Sequence, residues 1–138
     1  MTRRRWAVTA CLVVTLAVGA TACGDGTPDY CDDLREVRSL DALRGALDAD
    51  DLPRAAAEAN RLSEIANGAP EEIAPSLQAL AGGVSAVVGL LEVQESNPAE
   101  YELQREQVQQ QLGTLADDAA AVSQWTEEQC GFRLLDGT

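Results

Sequence analysis

Between Ile73 and Leu91 the chain carries no charged residue, and Ile73, Leu77, Leu80, Val84, Val87 and Leu91 recur at alternating four- and three-residue intervals. That period is a helix with one continuous apolar seam, which must bury itself against other helices. The flanking sequence follows the same period. Thr27 caps a first helix, with Pro28 in its first position and Asp29, Asp32 and Asp33 near the positive end of its dipole. Its apolar face, Tyr30, Leu34, Val37, Leu40, Leu43 and Leu47, runs to about Asp48. Asp50 or Asp51 caps a second helix, with Leu52, Ala55, Ala59, Leu62 and Ala66 inward, and Asn67-Gly68 ends it. The third starts at Pro70-Glu71-Glu72 or, if Pro75 breaks its first turn, after that proline; Gly82-Gly83 is a further place where it can break. Asn97-Pro98-Ala99-Glu100 caps a fourth, whose stripe is Tyr101, Val108, Leu112, Leu115, Ala119 and Val122, and Thr126 to Gln129 read as the cap of one last turn. No alternating run marks a strand. The expectation is an all-α, up-down-up-down four-helix bundle.

Ahead of it, Arg3-Arg4-Arg5 precede a 17-residue uncharged run, Trp6 to Ala22, too short for the roughly 20 residues of a spanning helix. Its end, Ala20-Thr21-Ala22-Cys23-Gly24, resembles a bacterial lipoprotein signal peptide, with Ala20 where that motif usually has leucine. The resemblance implies cleavage before Cys23 and a lipid on its sulfur, hence a domain tethered on the extracytoplasmic face of the membrane. Ala20-Thr21-Ala22 also fits ordinary secretory cleavage, so a secreted protein is the alternative. Thr2-Arg3-Arg4-Arg5-Trp6 has a weaker resemblance to a twin-arginine export motif. The domains expected are a signal segment, 1–22; an acylated cysteine and short linker, 23–28; and a helical domain, 29–138.

Cysteine parity supports the lipid. Cys11 lies in the signal segment, leaving Cys23, Cys31 and Cys130, an odd number for an oxidising compartment. Acylation of Cys23 removes the odd thiol. In an up-down-up-down bundle the first helix starts where the last one ends, so Cys31 and Cys130 should meet in a disulfide. A redox-active pair is the alternative, but there is no CxxC spacing and no lysine or histidine to lower a thiol pKa. Trp125 should pack at the same pole beside Tyr30 or Leu34.

Charge narrows the partners. From Cys23 onward, seven arginines face 23 acidic residues, a net of -16, which disfavours nucleic acid and anionic lipid surfaces. Without histidine the usual serine and cysteine triads and Glu-x-x-His metal pairs are unavailable. Gly82-Gly83 lacks the lysine of a phosphate loop, and Asp48, Asp50 and Asp51 open a calcium-like loop that fails at Leu52, Pro53 and Ala59. Adjacent acids such as Glu71-Glu72, Asp117-Asp118 and Glu127-Glu128 point to different sides of a helix. No enzyme, cofactor or metal site is expected.

The third helix nevertheless lacks a polar back, since Gly82, Ala86, Gly89 and Val93 oppose its seam. Either neighbouring helices cover that face or it docks a partner protein, a second copy or an apolar ligand. With a cysteine near each end and Pro70-Glu71-Glu72-Ile73 between, the mature region resembles small helical actinobacterial envelope lipoproteins. That resemblance implies location and no activity. The function expected is a non-enzymatic, membrane-anchored binding or scaffold module of the envelope, joined through its third helix to another envelope protein or to itself; the alternative is a carrier of a small apolar ligand or a cation.

Overall fold

A computed structural model describes residues 27–134. The signal segment, Cys23 and the linker as far as Gly26 lie outside the described residues, as do 135–138. The described chain is all-helical, in six segments: α1 (Thr27–Glu36), α2 (Asp41–Asp48), α3 (Leu52–Asn67), α4 (Ala74–Ser96), α5 (Pro98–Gly113) and α6 (Ala116–Cys130). Two of the four expected helices are therefore each broken in two. After Glu36 the chain turns, and Leu40 takes a left-handed conformation (φ 52°, ψ 26°). Ser39 Oγ donates to Asp41 Oδ2 at 2.5 Å across that residue, and Leu40 N donates to Val37 O at 3.1 Å within the turn. The second break lies at Thr114, whose hydroxyl donates back to Gln111 O at 2.8 Å. Asp117 and Asp118 then occupy the first turn of α6, where its dipole favours them.

Elsewhere the caps act where the residue types place them. Asp51 Oδ1 accepts from Arg54 N at 3.1 Å at the start of α3. Asn97 Oδ1 accepts from Glu100 N at 3.4 Å, while Asn97 Nδ2 donates to Glu100 Oε2 at 3.1 Å, a reciprocal cap for α5. Pro70-Glu71-Glu72 forms a turn rather than helix, and α4 starts with Pro75 inside its first turn and runs unbroken through Gly82-Gly83. Thr126 to Gln129 are interior to α6, not a separate turn.

Packing is mostly between sequence neighbours: α2 on α3, α3 on α4, and α4 on both α5 and α6, with α1 returning to α6. Cys31 and Cys130 form a disulfide, with their Cα atoms 5.4 Å apart. Around it, Tyr30 meets Trp125 edge-on with ring centroids 6.4 Å apart, and Tyr30 Oη donates to Ile65 O at 2.8 Å, pinning α1 to α3. Beyond α6 the chain turns at Gly131 (φ 73°), where only glycine is free of strain, and folds back. Thr126, fully buried, receives Leu134 N on its hydroxyl at 3.2 Å and donates to Ser123 O at 3.0 Å, and Leu134 is thereby driven into the core. Arg35 lies over the Phe132 ring, 5.1 Å from its centroid.

Candidate functional site

The core has two parts of unequal bulk. Tyr30, Leu34, Val37, Leu62, Ala66, Ile73, Leu77, Ala81, Val122 and Leu134 fill the end nearer the disulfide. At the other end the buried cluster is Ala46, Ala55, Ala59 and Val88, three alanines and a valine. Val84 touches both. Small side chains on α3 bring the backbones together but leave the leucines of α2 and α4 unable to close the space between the two clusters. The result is an apolar cavity of about 260 Å³.

Its wall draws on four helices, the turn after α1, the break between α5 and α6, and the chain beyond α6. Val37 and Leu40 come from the turn after α1, Leu43 and Leu47 from α2, and Leu62 from α3. The long helix α4 contributes Leu77, Leu80, Gly83, Val84, Val87 and Val88; Leu112 and Leu115 close the far side, and Leu134 the floor. No wall residue has a polar side chain. Val37, Leu62, Leu77, Gly83, Val88 and Leu134 are buried, the other wall residues are half-buried, and Leu112 is 39% exposed, so the cavity is partly open to solvent.

Gly83 matters to this geometry. A Cβ there would stand 2.4 Å from Leu115 Cδ1, closer than carbon atoms approach, and in ordinary contact with Leu112 Cδ2 at 3.4 Å, so Leu115 packs over the bare backbone of α4 and would have to turn aside for a side chain. Gly82 differs. It is exposed, with nothing within 4 Å of the position a Cβ would take, and the same clearance surrounds Gly89. Ala86, Gly89 and Val93 are half-buried, so of the four residues opposite the seam of α4 only Gly82 is fully open. Of its most apolar 18-residue stretch 28% is buried. Although α4 is long and apolar enough to cross a membrane, here it is the central helix, packed on α3, α5 and α6. No residue of α5 is fully buried, and its Leu103 is 81% exposed.

Ionisable groups add little chemistry. Among the described residues no three His, Cys, Asp or Glu side chains come together as a metal site. A second, shallow pocket beside Tyr30 is lined by Asp33, Glu36, Arg61 and Glu64, and Arg61 is ion-paired with Glu36 within it. Burial, and then the negative charge of Asp33, push the Tyr30 phenol well above its ordinary value of 10.0, so it is a hydrogen-bond donor and not an acid. The structure thus brings Cys31 and Cys130 together as expected, leaves Gly82 exposed with Ala86, Gly89 and Val93 half-buried, and adds a cavity that the linear pattern did not disclose. No family model matches the chain, and no curated protein or solved structure matches it.

Proposed function

We propose that the chain is a non-enzymatic, extracytoplasmic lipoprotein, anchored through acylated Cys23, whose helical domain binds a small apolar molecule in the cavity between α2, α4 and the end of α5. The observation that carries the reading is the 260 Å³ space walled only by aliphatic side chains and glycine. Native interiors are close-packed, and apolar walls that stand apart around a partly open cavity forfeit dispersion contacts with one another. A ligand that fills it recovers those contacts and sheds its own apolar surface from water, at about 25 cal/mol per Å². The cavity favours this apolar-ligand form of carriage over the cation form. The six segments are read as four legs, α1 with α2 and α5 with α6 each forming one broken leg of an up-down-up-down bundle; the sequential packing and the α1–α6 disulfide support that grouping.

Thermal unfolding of the purified chain with hexane tests the site. At tenfold excess over Kd, mass action adds about 1.4 kcal/mol and raises Tm by roughly 5 °C. Val84→Phe, which puts a ring into the space, should abolish the shift while leaving the helical circular dichroism intact. No shift with the unaltered chain refutes the reading.

A second reading rests on the outer side of α4. Gly82 is exposed and Ala86, Gly89 and Val93 are partly exposed, a small-residue apolar strip suited to another envelope protein or a second copy. Ala86→Arg should disrupt association measured by sedimentation and leave hexane binding unchanged.

A further inference from the structure

Resting on the cavity reading, we infer that α5 is a movable wall: it melts away from α4 as a unit while the rest of the fold stays closed, and the cavity exchanges its ligand through that opening. The elements around the cavity differ in how they are held. The turn after α1 follows a helix fixed by the Cys31–Cys130 bridge and by the fully buried Leu34. On α2 Ala46 is fully buried, and its carbonyl accepts from Asp51 N at 2.9 Å. Past α6, Leu134 is clasped on both sides, its N–H donating to Thr126 Oγ1 at 3.2 Å and its carbonyl accepting from Ser123 Oγ at 2.9 Å. The helices α3 and α4 each bury four residues.

Nothing comparable holds α5. None of its residues is fully buried, and its packing is on α4. Its side-chain bonds, Asn97–Glu100, Glu100–Gln104, Arg105–Glu102 and Thr114–Gln111, stay within the helix and its caps; among the described residues none reaches another helix. Segments with few buried apolar contacts open at a smaller free energy than the whole fold. Once detached, α5 loses its helix, because a lone helix of about 15 residues is marginal in water even when rich in alanine, and α5 has a single alanine. Its melting lifts Leu112 from beside Gly83 and frees the neighbouring Leu115, so two of the leucines that wall the cavity leave together.

Hydrogen exchange followed by NMR, on the full chain purified without detergent, tests the melting. Amides of residues 102–112 should share one opening constant and be protected at least about 100-fold less than those of Leu62 and Leu77. Gln107 and Gln110 are exposed and do not line the cavity, so Gln107→Gly/Gln110→Gly should favour the melted α5 by about tenfold and leave the wall intact. Association and dissociation of hexane, read from methyl line shapes during titration, should then both quicken about tenfold at an unchanged Kd, and Gln107→Ala/Gln110→Ala should slow both about fourfold. Undiminished protection of the α3 amides shows that each variant is folded. Exchange in α5 no faster than in α3, or hexane rates that ignore both variants, overturns the inference and leaves the cavity reading standing. No hexane binding by the unaltered chain overturns both.

Discussion

Removing the disulfide tests whether the two chain ends are held together as described. Cys31 and Cys130 are 99 residues apart in sequence, so the bridge closes nearly the whole domain into one loop. In the chain-entropy model a loop of about 100 residues loses enough denatured-state freedom to stabilise the fold by about 4.7 kcal/mol at 25 °C. A domain of this size has a total stability of roughly 5 to 15 kcal/mol, so the bridge accounts for a third or more of it. Alanine is the right replacement. Cys31 is 5% exposed, and serine would bury a hydroxyl there and confuse the result. Noncovalent contacts of α1 remain in the variant: Leu34 is fully buried, and Tyr30 still meets Trp125 and Ile65. Urea unfolding of the Cys31→Ala/Cys130→Ala chain, followed by circular dichroism, should show a loss of 4 to 5 kcal/mol and a larger m-value, because the open denatured chain exposes more surface. Reducing the unaltered protein should give the same curve. A loss under about 1 kcal/mol with an unchanged m-value would refute the loop-closure reasoning.

Tyr30→Phe removes the Tyr30–Ile65 hydrogen bond and should cost about 1 kcal/mol at neutral pH. Because the Tyr30 phenol is held above its ordinary value of 10.0, the unfolded chain ionises there first, so stability is intact below pH 10 and falls as pH rises above it. Comparison of urea unfolding at pH 8 and pH 11 should show a smaller fall in Tyr30→Phe than in the parent. Gly82→Ala has open space and should stabilise α4 by roughly 0.5 to 1 kcal/mol in thermal unfolding. Gly83→Ala adds the same helix propensity but forces Leu115 Cδ1 aside; that leucine can turn into the cavity, so stability should stay within about 1 kcal/mol of the parent while hexane binding is lost.

Much of the fold was written in local chemistry. Asp51 and Asn97 cap the helices they precede, Ala55, Ala59, Leu62 and Ala66 bury the stripe their spacing marks, and Cys31 meets Cys130. What escaped depends on competition between equally periodic alternatives. Leu40 fits the apolar stripe of one long helix, but the Ser39–Asp41 bond around it makes a turn cheap, and tertiary packing sends α2 onto α3. Leu112 and Leu115 fit one stripe too, yet the chain breaks between them beside Thr114. Thr126, read as a cap, is a buried clasp for the tail; its partner Leu134 lies eight residues away and carries no periodic mark. The cavity was illegible for a different reason. Periodicity states which faces are apolar, and says nothing of whether alanines on α3 and Ala46 leave enough bulk to fill what those faces enclose.

A crystal equilibrated under xenon tests the cavity directly. Xenon enters dry apolar space and ignores charge, so it reports the void itself, whatever the natural ligand. The account predicts one strong xenon site walled by Leu62, Val84, Val87 and Leu115, absent in Val84→Phe. Leucines collapsed across that space, or ordered water within it and no xenon, would contradict the account.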